Sequence, residues 1–86
     1  MNEHFKVKTR LIKLIENKLY ITFENHFDLT TKLRDLFIDE FEFINFQLEI
    51  EDEFGIYFDS NSYIDYNRMT VEELIKKTEE FVNQNK

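Results

Sequence analysis

The chain holds a single glycine, Gly55, and no proline in its 86 residues. Tight turns draw on those two residue types, and a sheet protein needs several such turns, so the chain is expected to be all-α with a few longer connections. Ten Phe and four Tyr supply the bulk of a core, and with 42% hydrophobic content the chain is not a disordered one. A second domain would have too little interior at this length, so residues 1–86 read as one domain.

Composition also removes whole classes of chemistry. There is no cysteine, which excludes disulfides, thiolate catalysis and zinc-thiolate sites. The first 18 residues, MNEHFKVKTRLIKLIENK, are charged throughout and lack the apolar core of a signal peptide. No run approaches the roughly 18 apolar residues of a membrane span. A cytoplasmic location without a membrane partner is therefore expected.

The net charge of −7 hides an asymmetry. Residues 1–18 carry five basic groups, Lys6, Lys8, Arg10, Lys13 and Lys18, which read as the solvated face of a helix. Between Arg34 and Arg68 there is no Lys or Arg, only ten acids. Phosphate backbones are repelled by such a field and a basic protein surface is attracted, so nucleic acid is not expected as a partner.

Hydrophobic spacing places the elements. Leu11, Ile12, Ile15 and Leu19 share one face of a helix expected over 5–21, with Val7, Leu14 and Ile21 beside it. Residues 22–39 have no sustained period and read as a long ordered connection, with or without a turn of helix, pinned by Phe27, Leu29, Leu33 and Leu36. Within 57–69 Asp59 or Ser60 is placed to cap one short helical turn through Tyr63 and Ile64. The last helix opens with Thr70 and Glu73 at capping-box spacing, followed by the stripe Val71, Leu74, Ile75, Thr78, Phe81 and Val82.

The stretch FIDEFEFINFQLEIEDEFGI, residues 37–56, carries two patterns at once. Ile44, Phe46, Leu48 and Ile50 alternate with polar residues as in a strand, but Phe41 and Phe43 break the parity. On a helix Phe43, Phe46, Ile50 and Phe54 form one stripe, and Phe41, Ile44 and Leu48 form a second on nearly the opposite side. Gly55 then fits as the left-handed residue that ends the helix, with Ile56 folding back. The second stripe either lies open to solvent or is covered by the 22–39 connection as a satellite core.

Helix, long connection, acidic helix ending EDEFGI, short helix and a last helix opening TVEEL together resemble the acyl carrier protein superfamily. Asp35-Leu36 precedes Asp39-Glu40-Phe41 where that family has an Asp-Leu pair and then an Asp-Ser-Leu motif, and Glu51 to Ile56 closes the helix at the family spacing. The resemblance spans nearly the whole chain, strongest over 33–56. It implies an acyl-carrier-like four-helix bundle of three longer helices and one short one, and it favours the helix for 40–54.

The departure falls at the family's functional centre. The serine that carries the 4′-phosphopantetheine arm is replaced by Glu40, whose carboxylate cannot serve as the alkoxide nucleophile and repels an incoming phosphate. No cofactor is therefore expected. The resemblance leaves the recognition surface of the second helix: Phe41, Ile44 and Leu48 as apolar contacts, with Asp39, Glu40, Glu42, Glu49, Glu51, Asp52 and Glu53 as charge. The expected partner is a protein with a basic surface around an apolar pocket, such as a carrier-handling enzyme, a regulator's target or a toxin, and a monomer is expected over a homo-oligomer. The competing reading is a working carrier modified at an atypical serine, Ser60 or Ser62, or acting without the arm. Residues 59–70 lack the Gly and final Glu of a calcium loop, and no metal site is expected. Neither His4 nor His26 is accompanied by a nucleophile, a phosphate-binding loop or metal-ligand spacing, so no enzyme activity is expected.

Overall fold

A computed structural model describes residues 3–58 and 64–84. Its first helix, α1, runs Glu3–Leu19. Val7, Leu11 and Ile15, spaced four apart, are buried along its inner edge, and Ile12, Leu14 and Leu19 are half-buried beside them. The helix stops two residues before the expected end because Tyr20 takes the left-handed conformation, φ 57°, and the Ile21 amide turns back onto the Glu16 carbonyl at 3.3 Å.

The long connection is ordered by its own polar groups and then by the far end of the chain. Glu24 donates its amide to the Phe27 carbonyl at 2.6 Å, the Phe23 and Phe27 rings meet edge to face at 5.3 Å, and Asp28 accepts from the amide and hydroxyl of Thr30. Leu33 then donates its amide to Met69, while Val71 and Glu72 donate theirs to Thr31 and Leu29, at 2.9 to 3.0 Å. These three backbone bonds tie residues 29–33 to the start of the last helix, which is how so long a connection sits inside a small domain. One helical turn, α2, follows at Leu33–Leu36. Among the described residues the short helix thus lies before the acidic helix; the turn expected through Tyr63 and Ile64 falls on 59–63, outside the described residues, except for Ile64, which is not helical.

The acidic helix, α3, spans Glu40–Phe54, and the last helix, α4, spans Val71–Gln84. The expected capping box is made: Thr70 donates its amide to Glu73 Oε1 at 2.9 Å and accepts from the Glu73 amide at 3.3 Å. α1 packs against both α4 and α3. The core has an aromatic centre in which Phe37 meets Phe43 and Phe46 at 5.3 and 5.1 Å, and Phe43 meets Tyr66 at 5.5 Å. The Tyr66 hydroxyl donates to the Phe37 carbonyl at 2.8 Å, joining the two connections inside the core. Three longer helices and one short one, with no strand among the described residues, bear out the all-α expectation. The Cα radius of gyration, 12.1 Å, matches the ~12 Å of a compact chain of this length.

Candidate protein-docking face on the acidic helix

Both ends of α3 are built from local chemistry. At the start Asp39 is extended (φ −155°) and its carboxylate accepts the Glu42 amide at 2.9 Å, while Glu42 accepts the Ile38 amide at 2.8 Å. Asp39, Glu40 and Glu42 lie at the positive end of the helix dipole, where anions stabilise. At the other end Gly55 (φ 65°) is left-handed, the Ile56 amide reaches the Glu51 carbonyl at 3.1 Å, and Glu51 accepts the Phe58 amide at 2.8 Å.

Glu51, Asp52 and Glu53 stand at the negative end of that dipole, and the last turn of α3 holds no cation of its own. Arg10 of α1 supplies one. Its guanidinium donates to the Glu53 carbonyl at 2.8 Å and to the Glu53 carboxylate at 2.6 Å, and lies 4.5 Å from the Phe54 ring centroid. Lys18 pairs with Glu49 at 2.8 Å, and that bond holds its ammonium above the ordinary lysine range. The basic face of α1 was expected to be only solvated; two of its five cations instead bridge to α3. This follows from α1 and α3 packing side by side, which periodicity in one helix cannot reveal.

The helix presents its two stripes in opposite directions. Phe43, Phe46 and Ile50 are buried, with Phe54 half-buried beside them, whereas Phe41, Ile44 and Leu48 are 78%, 45% and 58% exposed. The 22–39 connection does not cover them. At about 100° per residue Glu40, Glu51 and Asp52 flank this apolar ridge, while Glu42, Glu49 and Glu53 turn toward the side facing α1. The ten residues singled out from sequence therefore divide. Phe41, Ile44, Leu48, Glu40 and Asp52 are exposed on the outer side; Asp39 and Glu42 cap the helix, Glu51 holds the chain after Gly55, and Glu49 and Glu53 bind α1.

Three exposed apolar residues were missed by sequence reasoning: Tyr20, Ile38 and Tyr57, at 93%, 87% and 83% exposure. Ile38 stands just before the cap, where an apolar residue ordinarily packs onto the first turn of its helix; Phe37 has taken that inward place. A hollow of 460 Å³ beside the start of α3 is lined by Tyr20, Ile38, Leu36, Asp35 and His26 among others. A second, of 360 Å³, lies at its end between Leu48, Asp52, Ile56 and Tyr57.

His26 has a structural use: its Nδ1 accepts the Thr22 amide at 2.9 Å. Among the described residues no cluster of three or more His, Asp or Glu is arranged to hold a metal ion, and no helix is long and apolar enough to cross a membrane. Ser60 and Ser62 lie outside the described residues. No family model, curated protein or solved structure matches the chain.

Proposed function

We propose that this domain is a protein-binding module of acyl-carrier type that has lost the carrier's attachment serine and docks a basic partner on the outer face of α3. The observation that carries the reading is the exposed ridge Phe41, Ile44 and Leu48 on a helix without a single cation. Apolar anchors give affinity when buried at the centre of an interface, and rim charges such as Glu40 and Asp52 steer a basic surface toward them. The motif resemblance supports the carrier shape. Glu40 occupies the first turn of α3 directly after the capping Asp39, the place where the resemblance puts the arm-bearing serine. With a carboxylate there, what α3 has left to offer is recognition.

The test is affinity capture from the native host's lysate with wild type and Ile44→Lys side by side. Ile44 is 45% exposed, so Ile44→Lys is expected to keep the helical circular dichroism spectrum while losing the partner. Capture of the same proteins by both forms refutes the docking face. Loss of the native fold in Ile44→Lys refutes the exposure on which it rests. Intact mass after co-expression with a phosphopantetheinyl transferase is expected to stay unchanged, and a pantetheine-sized increment on Ser60 or Ser62 would restore the carrier function denied here.

A further inference from the structure

The acids of α3 gather at its two ends. Glu40 and Glu42 stand in its first turn and Glu49, Glu51, Asp52 and Glu53 close it, yet Phe43 to Leu48 between them carry no charge. The exposed residues of that uncharged window are Ile44, Asn45 and Leu48. A basic surface is drawn to the ends of the helix and finds no charge to pair with in the middle. The middle has a different complement.

The end of the helix adds a shape. Leu48, Glu51, Asp52 and Gly55 line a hollow of 360 Å³ together with Ile56 and Tyr57. Those four stand at i, i+3, i+4 and i+7, the spacing of the hole that receives one side chain when two helices interlock. Gly55 leaves the hole open, since a Cβ there would meet nothing within 4 Å. Phe41, seven residues before Leu48 on the same outer face and largely exposed, is a knob of the size such a hole takes.

Knob and hole fit each other in a single register. With a second α3 laid antiparallel so that its Phe41 enters this hole, its Leu48, seven residues on, falls into the hole made by Phe41, Ile44, Asn45 and Leu48. A two-fold axis midway along the helix repeats both contacts and sets one uncharged window against the other. The exposed parts of Phe41, Ile44, Leu48 and Tyr57 come to about 500 Å² per copy, so a pair hides on the order of 1,000 Å². That is the lower edge of specific interfaces and suits a weak pair.

We propose that a second copy of this chain closes the outer face of α3 when no basic partner holds it, with α3 antiparallel on α3 and Phe41 of each copy in the hole of the other. The pairing shares the exposed ridge with the docking reading above and otherwise stands apart from it. The two differ in the sign of their electrostatics. In the pair Glu40 comes level with Glu51 of the second copy, twice, and each chain carries a net charge of −7, so added salt relieves repulsion and strengthens association. Docking of a basic surface weakens in the same salt.

The experiment is sedimentation equilibrium of the full chain from about 10 μM to about 1 mM, in about 0.05 M and about 0.5 M NaCl. The weight-average mass is expected to climb from 10.6 kDa toward twice that, further in the higher salt, while dilute protein stays monomeric. Phe41→Ala is expected to weaken pairing about ten-fold or more with an unchanged circular dichroism spectrum, and Gly55→Ala, which puts a methyl group in the hole, about three-fold. In a mixture of labelled and unlabelled protein, nuclear Overhauser contacts are expected from the Phe41 ring of one copy to Leu48 and Gly55 of the other. A mass fixed at 10.6 kDa in both salts overturns the pair, as does a pair that Phe41→Ala leaves intact. A pair that salt dissolves overturns it too, because opposite charges then hold the copies together. In all three cases the docking face is still judged by the Ile44→Lys capture, and a pair that forms as expected beside an unchanged capture sinks the docking reading alone.

Discussion

Tyr66→Phe removes one oxygen from the core and leaves both the ring and its neighbours in place. The hydroxyl donates to the Phe37 carbonyl at 2.8 Å, inside the core, across 29 residues of sequence. Phenylalanine keeps the contact with the Phe43 ring at 5.5 Å, so little apolar burial changes. What is lost is one buried hydrogen bond, and what remains is a carbonyl without its side-chain donor; together these cost about 2 kcal/mol, or roughly 10 °C in Tm for a domain of this size. Urea unfolding should show a lower midpoint with an unchanged slope, because the surface exposed on unfolding is the same.

A pH series sharpens the test. Burial pushes the Tyr66 phenol above its ordinary value, and the carboxylates of Asp39, Glu42, Glu40 and Asp35 push it further. With the folded value raised, the unfolded chain releases this proton first as pH climbs. The stability tied to the neutral phenol is therefore complete below about pH 10 and is lost as pH rises through the folded value. Phenylalanine has no such proton. The stability gap between wild type and Tyr66→Phe should narrow in alkaline solution, while other titrating groups cancel in the difference. A variant as stable as wild type at neutral pH, or a gap that stays constant into alkali, refutes the reasoning.

Three smaller changes probe other local devices. A Cβ at Gly55 would meet nothing within 4 Å, so Gly55→Ala should cost only the left-handed backbone, about 1 kcal/mol by urea unfolding; a much larger loss would show that space also matters there. Thr78 is fully buried and its hydroxyl bonds back to the Leu74 carbonyl at 2.9 Å, a carbonyl already inside the α4 ladder, so Thr78→Val should stay within about 0.5 kcal/mol of wild type. The Thr30 hydroxyl, followed by the Thr30 amide, holds the Asp28 carboxyl below its ordinary range. Its contribution is present above that range and fades as pH falls through the folded value, so Asp28→Asn should be less stable than wild type near neutrality and equal to it in acid, as read by thermal melts.

How much of this could be read from sequence differs by element. Gly55 closes α3, and Thr70 with Glu73 opens α4; each acts through a hydrogen bond or backbone conformation set within a few residues, so each was visible in a short window, whereas Asp39, which caps the start of α3, reads in the sequence only as partner-facing charge. The end of α1 was misplaced because Tyr20 stands in a conformation that glycine ordinarily marks. A turn of helix within 22–39 is among the sequence readings, but its place at Leu33–Leu36 was not locatable: Lys32 gives it no side-chain cap, only Leu33 is buried in it, and its first amide is satisfied by Met69, far along the chain. The ridge residues could be paired by spacing, but their exposure depended on where the 22–39 connection went.

By itself the sequence determined that the chain is largely helical, where its acidic helix stops, and which of that helix's two stripes is suited to a core. Those properties arise from periodicity, caps and a lone glycine, all of which act locally. Only the tertiary structure decided that the opposite stripe stays bare, that Arg10 and Lys18 reach across to α3, and that Tyr20, Ile38 and Tyr57 are left exposed. These depend on three backbone bonds that draw residues 29–33 onto the start of α4, away from the outer face of α3, and on helix faces that meet only after the chain has closed on itself.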